Sequence, residues 1–227
     1  PRPARAAAAD PLVRCAPGPG RRRRRGGAVV RAGLGPPADL LALTAASHSG
    51  GAKPRGGTQR ILSLYGLAAR NLENSTDLPY GASEREDWLR NGFLATRLTQ
   101  NCSGKHAAMA ATCVINGWPV KGYLNPAHPL QQLIAATVTE LTGETPLARS
   151  TDGCGTPLFA LTLRGMARAF GTIAAAAALA AVSTSDDSGT APLPAEAAVG
   201  LAMRPPPDMV DGQRRLGRPH VRTPSHP

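Results

Sequence analysis

The sequence predicts a mostly helical domain over residues 38–203, held between two disordered tails. Apolar side chains recur at helical spacing inside those bounds, as in Ile61, Leu62, Tyr65 and Ala68, the pattern that turns one helix face towards a core. Helix stops accompany them. Asn116-Gly117 and Gly143 accept the left-handed conformation that follows a last turn, and Pro129 suits a first one. Outside those bounds, residues 1–37 and 204–227 are rich in Arg, Pro, Ala and Gly and show no period. Such composition does not bury enough apolar surface to offset the entropy of ordering.

The segment Leu40 to Ala46 is compact and apolar, a helix or a buried strand, and runs into Ser47-His48-Ser49-Gly50. Gly50 to Gly57 reads as a turn, followed by a helix from Thr58 to Asn71 and a loop from Asn74 to Pro79. Ser83-Glu84-Arg85-Glu86 has the Ser-x-x-Glu form of a capping box and should open a short helix. Strong helix formers fill Ala107 to Ile115 behind Ser103, and Trp118-Pro119 breaks the chain. Asn125 to Pro129 is a turn feeding a helix to Leu141, with His128 as its cap or a surface residue. Asp152 to Pro157 is a tight glycine-containing loop, expected to lead directly into a helix from Leu158 to Phe170 whose Leu158, Leu161 and Met166 enter the core. The apolar stretch Ile173 to Val182 is too short to span a bilayer. A polar linker from Ser183 to Pro194 and a last helix from Ala195 to Met203 complete the domain.

Aromatic residues are 4% of the chain and hydrophobic residues 42%, so the core must be built largely of Ala, Leu and Val. Lys and Arg number 26 against 15 Asp and Glu, a formal charge of +11. Much of that excess lies in Arg21 to Arg25 and in the two ends, away from any helix stripe, and aromatics for base stacking are scarce. This excludes a specific nucleic-acid surface, while a basic, non-specific nucleic-acid-binding protein stays as an alternative. Four cysteines, Cys15, Cys102, Cys113 and Cys154, make no disulfide framework in a chain of 227 residues. No signal-peptide pattern follows the arginine run. The expectation is a soluble, cytoplasmic protein with no membrane partner.

The chemistry centres on Asn101-Cys102-Ser103-Gly104-Lys105-His106, four reactive side chains at a helix start. There the positive end of the helix dipole and the Lys105 charge favour a thiolate at Cys102, suited to a metal ligand or a nucleophile. A buried small thiol beside an ordinary cap is the equal alternative, and local chemistry leaves both open. Two other glycine-containing turns, Ser47-His48-Ser49-Gly50 and Asp152-Gly153-Cys154-Gly155, also carry reactive groups beside apolar segments. Cys102 and Cys154 could share a zinc ion, although their spacing does not require it. Cys113, among Ala, Val and Ile, belongs to the core. Trp88 and Trp118 are packing residues, and Cys15 has no role.

Taken together, Ala46-Ser47-His48-Ser49-Gly50, Asn101 to His106, Asn116-Gly117-Trp118-Pro119, Gly122-Tyr123-Leu124, His128-Pro129-Leu130-Gln131 and Asp152-Gly153-Cys154-Gly155 resemble the thermolabile, zinc-binding L-asparaginases, the type II enzymes of rhizobial kind. The resemblance covers about residues 38 to 215, faint after Phe170. The Cys-Ser-Gly-Lys-His block together with Asp-Gly-Cys-Gly is specific; either alone is weak. It implies an α+β fold, an incomplete relative of the serine β-lactamases and glutaminases that is mostly helical here. It also implies an amidohydrolase converting L-asparagine to L-aspartate and ammonia. Zinc in that family is held by two thiolates, an amine and a water, at positions matching Cys102, Cys154 and Lys105. Ser47 and Asp152 match catalytic positions, and His106 with Ser103 would line the substrate pocket. A homodimer is left open.

The departures are equally specific. Family members carry an Arg-Ser-x-x-Lys motif some thirty residues before the position of Ser47, yet the lysines here are Lys53, Lys105 and Lys121. A serine hydroxyl needs such a base beside it to act as a nucleophile at neutral pH. A second active-site lysine would lie beyond Pro227, and Gly51 replaces an acidic residue. The sequence reading is therefore of a truncated or degenerate family member. A non-catalytic zinc-binding remnant is the alternative.

Overall fold

The computed structural model describes residues 38–183, 193–204 and Met209. The expected N-terminal tail and most of the expected linker lie outside the described residues. So does the expected C-terminal tail, apart from Arg204 and Met209. Seven α-helices are described: α1 Ala38–Ala45, α2 Ala52–Leu64, α3 Ala82–Arg90, α4 Ser103–Asn116, α5 Pro129–Thr142, α6 Leu163–Ser183 and α7 Ala195–Ala202. A 3-10 turn at Ala69–Asn71 and two strands, β1 Ala148–Thr151 and β2 Pro157–Ala160, complete them. The strands form one antiparallel hairpin with Ala148 opposite Ala160 and Thr151 opposite Pro157. The described fold is thus mostly helical with a small sheet, an α+β arrangement.

Helix α4 is the centre. Ten of its fourteen residues are buried, so it behaves as a core helix and not as an amphipathic surface one. On one side Ala107 and Ala111 meet Leu40, Leu43, Ile61, Leu62 and Leu72 from α1, α2 and the following loop. On the other, Met109, Ala110 and Cys113 meet Tyr123, with Leu130, Ile134 and Val138 of α5 and Ala169 and Ile173 of α6. Small residues on α4 are what allow neighbours on both sides. Gly104 shows the constraint most sharply: a Cβ there would lie 2.6 Å from Leu43 Cγ and 2.7 Å from the Leu43 carbonyl oxygen. Gly104 sits inside the first turn of α4 and serves close approach to α1.

Several helix ends match their sequence signals. Gly117 and Gly143 both have φ 67° just past α4 and α5. Pro129 opens α5, and His128 caps it by accepting the Leu130 N–H at 3.1 Å. Others differ. The expected turn over 50–57 is instead the start of α2, because Pro54, third in that helix, occupies a position whose N–H has no helical partner anyway. The helix expected to reach Asn71 stops at Leu64, with Gly66 at φ 68°. Helix α3 starts at Ala82 with Gly81 as its cap, and Ser83 Oγ bonds Glu84 Oε2, so the capping box is not formed. Leu158 lies on β2, not on a helix, since residues 157–160 pair with β1.

The apolar stretch Ile173 to Val182 belongs to a longer helix than the sequence suggested. Leu163–Val182 is long and apolar enough to cross a membrane by length and composition. One face of it, through Ala169, Ile173, Ala177 and Ala180, is buried, and α6 packs on α5 and α7. Met209, inside the expected C-terminal tail, is 7% exposed and belongs to the same core as Leu40 and Leu43.

Candidate functional site

The N-terminus of α4 gathers all three reactive turns. Cys102 is its cap residue, held by its own N–H to Gln100 Oε1 at 2.9 Å, while Asn74 Nδ2 donates to the same oxygen at 3.2 Å. From the first turn, Lys105 and His106 point inward, at 4% and 0% exposure. The 47–50 turn is fastened alongside. His48 N–H donates to the Asn101 carbonyl at 3.0 Å, and His48 Nε2 lies 2.9 Å from Ser103 Oγ. Ser103 Oγ also donates to Leu98 O at 3.0 Å and meets Thr58 Oγ1 at 3.1 Å. Ser103, expected to line the substrate pocket, is therefore enclosed in a polar knot between α1, α2 and α4. Ser47 is half-buried at the end of that turn; among the described residues its hydroxyl makes no hydrogen bond to Cys102, Lys105, Asp152 or Cys154.

The hairpin loop brings the other half. Cys154, 1% exposed, presents Sγ to Lys105 Nζ at 3.6 Å, and Asp152 Oδ2 lies 3.9 Å from the same amine. Ligand atoms of Cys102, Asp152 and Cys154 all lie within 4.8 Å of one another. The loop is closed by Asp152 N–H to Thr156 O at 2.9 Å and by Gly155, at φ 91°, whose N–H returns to Asp152 O. Ser75 Oγ ties it to the preceding loop through Gly153 O at 2.9 Å. His106, also expected to line the pocket, is enclosed as Ser103 is: its Nδ1 is 2.8 Å from Tyr123 OH and its Nε2 3.2 Å from Thr156 Oγ1.

The electrostatics separate the two thiols. A hydrogen bond shared with Cys102, one from His106 and the Lys105 charge hold Cys154 well below the usual thiol range despite its burial. The same shared hydrogen bond, with burial, pushes Cys102 far up. The two thiols titrate as a pair, with the negative charge favoured on the Cys154 side, next to Lys105. Burial, with the neighbouring Cys154 charge, raises the Asp152 carboxyl.

Such a set, two sulfurs, a carboxylate and an amine, can bind a borderline-soft ion, activate an amide carbonyl or exchange protons. A family model described as L-asparaginase II matches residues 25–222. The chain belongs to the L-asparaginase II family. A comparison with curated proteins found no match. As a member of that family, the chain is of the asparaginase type of amidohydrolase, with a small-molecule substrate.

Within this L-asparaginase II chain, the residues that sequence reasoning left without a role are the ones that hold the reactive groups. Gln100 supports Cys102, Thr58 supports Ser103, and Tyr123 and Thr156 bracket His106. Thr156 could have been found from its place two residues after Cys154. Gln100 and Thr58 carry no such signal, because only packing brings them to α4; Tyr123 lies in the Gly122-Tyr123-Leu124 motif, but no role was read from it.

Proposed function

We propose that this chain hydrolyses L-asparagine to L-aspartate and ammonia at the N-terminus of α4. The observation that carries the reading is the convergence there of Cys102, Lys105, Asp152 and Cys154, beside the turn that bears Ser47. The same reading makes the helices and hairpin part of a serine β-lactamase/glutaminase-like fold.

The donor set fits zinc. Tetrahedral ligand atoms at zinc bond lengths lie about 3.3 to 3.8 Å apart, and the two sulfurs and the carboxylate oxygen already share a space within 4.8 Å. Cys102, Cys154 and Lys105 would hold the ion, with Lys105 giving up its proton to do so. Bound there, zinc would orient the substrate and polarise its amide carbonyl. Asp152, its carboxyl raised by burial and by Cys154, is placed to exchange a proton at Oδ2. Ser47 supplies the hydroxyl on the facing turn. Three buried, free cysteines suit a reducing, cytoplasmic setting.

A second reading is favoured by one observation. The lysines of this sequence are Lys53, Lys105 and Lys121. Lys53 and Lys121 are exposed, and Lys105 faces Cys154, which leaves Ser47 without the lysine base its chemistry requires. A zinc-binding protein without turnover keeps Cys102, Lys105 and Cys154 and loses the reaction. Ammonia release from L-asparagine, measured for purified protein, Ser47→Ala and Cys102→Ala, separates the two. Hydrolysis that falls about a hundredfold in both variants is expected. Equal release in all three overturns the reading, and stoichiometric zinc with no release selects the second.

A further inference from the structure

We infer that Tyr123, His106 and Thr156 form a one-way hydrogen-bond chain that ends on Cys154 Sγ, so that Tyr123 and Thr156 are positioning residues for the candidate site. The chain can be oriented from its buried end. Tyr123 is 0% exposed, and its hydroxyl oxygen accepts the Glu73 N–H at 2.9 Å. Among the described residues, the only acceptor its own hydrogen meets is His106 Nδ1 at 2.8 Å. A buried O–H without an acceptor loses its hydration with nothing in return. The hydroxyl therefore donates, and Nδ1 of His106 carries no proton.

The rest follows by donor count. A neutral imidazole unprotonated at Nδ1 is protonated at Nε2. That N–H faces Thr156 Oγ1 at 3.2 Å, and a hydrogen bond from His106 also reaches Cys154. With its oxygen accepting from His106, Thr156 has its hydrogen left to donate to Cys154 Sγ, 3.3 Å away, because a hydrogen on the sulfur has a second acceptor in Asp152 Oδ2 at 3.4 Å and need not occupy the Thr156 contact. Every link points at one sulfur. A ring protonated on both nitrogens would orphan the Tyr123 hydrogen, and a ring protonated at Nδ1 alone would also reverse the last two donors. The far end is anchored as well, because Glu73 Oε1 accepts the Gly122 N–H at 2.7 Å and ties the 73 and 122 segments together. His106 then acts on a ligand through Thr156 and Cys154, from a position closed to solvent.

The metal arm of the test rests on the zinc reading above; the ring arm does not. In metal-free protein carrying 15N in its histidine rings, nitrogen shifts read the tautomer directly, with His106→Gln assigning the signals. At neutral pH the expected His106 ring is protonated at Nε2 only, and Tyr123→Phe, which keeps the ring and removes the donor, is expected to shift it towards Nδ1 protonation. A wild-type ring protonated at Nδ1, or on both nitrogens, overturns the inference. For the far end, cobalt(II) affinity is read by competition with a chelator. Thr156→Val is expected to weaken it about tenfold and Thr156→Ser to restore it. Equal affinity in Thr156→Val removes Thr156 from the chain and overturns the inference. If wild-type protein takes up no cobalt, the zinc reading fails, and the ring tautomer alone decides the chain.

Discussion

Two turns deliver reactive groups to the same helix end, and they are held there in different ways. The 47–50 turn is fastened mainly by groups that are not themselves candidate reactants. Backbone bonds join His48 to Asn101 and Gly81 to Ser49, and the buried His48 ring spans Ser103 and the Gly50 N–H. The 152–156 loop hangs on a hairpin of two four-residue strands, the first of them exposed throughout. Its ties to α4 run through the reactive side chains: Cys154 to Lys105, Asp152 to Lys105 and Thr156 to His106. One half of the site is therefore built by the fold. The other half is held through the candidate reactive side chains themselves, so a bound ligand should stiffen the hairpin loop and leave the first turn as it is.

The comparison can be broken most directly at His48. Replacing it with Ala removes a fully buried ring, leaves the Gly50 N–H without its acceptor and takes one partner from Ser103. Loss of about 3 kcal/mol in urea unfolding is expected, and an unchanged midpoint would show that the first turn is not held by this ring. A second measurement sharpens the contrast. Zinc-loaded protein treated with a chelator should exchange amide hydrogens in 152–156 about tenfold faster, while the His48 and Gly50 amides keep their protection. Equal change in both turns would mean that the ion organises the whole site. The smallest effect belongs to Ser75→Ala, which removes an exposed bond to Gly153 O. It should cost about 0.5 kcal/mol of global stability and show instead as faster exchange at 153–155. A global loss several times larger would make the hairpin loop part of the cooperative core.

Much of the site was legible because reactive side chains are rare and their glycine-containing contexts are specific. Cys102, Lys105, Asp152 and Cys154 do meet, although sequence spacing alone did not require it. Ser103 and His106 were singled out with them, yet both are enclosed by partners of their own, His48, Thr58 and Leu98 around Ser103 and Tyr123 and Thr156 around His106, for a reason composition does not carry. Ser103 to Ala107 are all buried, because small residues along α4 let neighbours pack on it from two directions.

What the sequence determined by itself was local. Gly117 and Gly143 end helices because nothing else takes φ 67° as cheaply, and Pro129 with His128 starts one from its own ring geometry and its own acceptor. Partners far along the chain were the business of tertiary structure. Residues 157–160 are a strand only because 148–151 lies beside them, a four-residue apolar run having no period to read. Met209 is buried because α1 and α2 leave a place for it, and Tyr123 reaches His106 across a turn that no pattern in either segment announces. Propensities and caps act over a few residues, whereas a hydrogen bond between residues 106 and 156 exists only once the chain has closed around it.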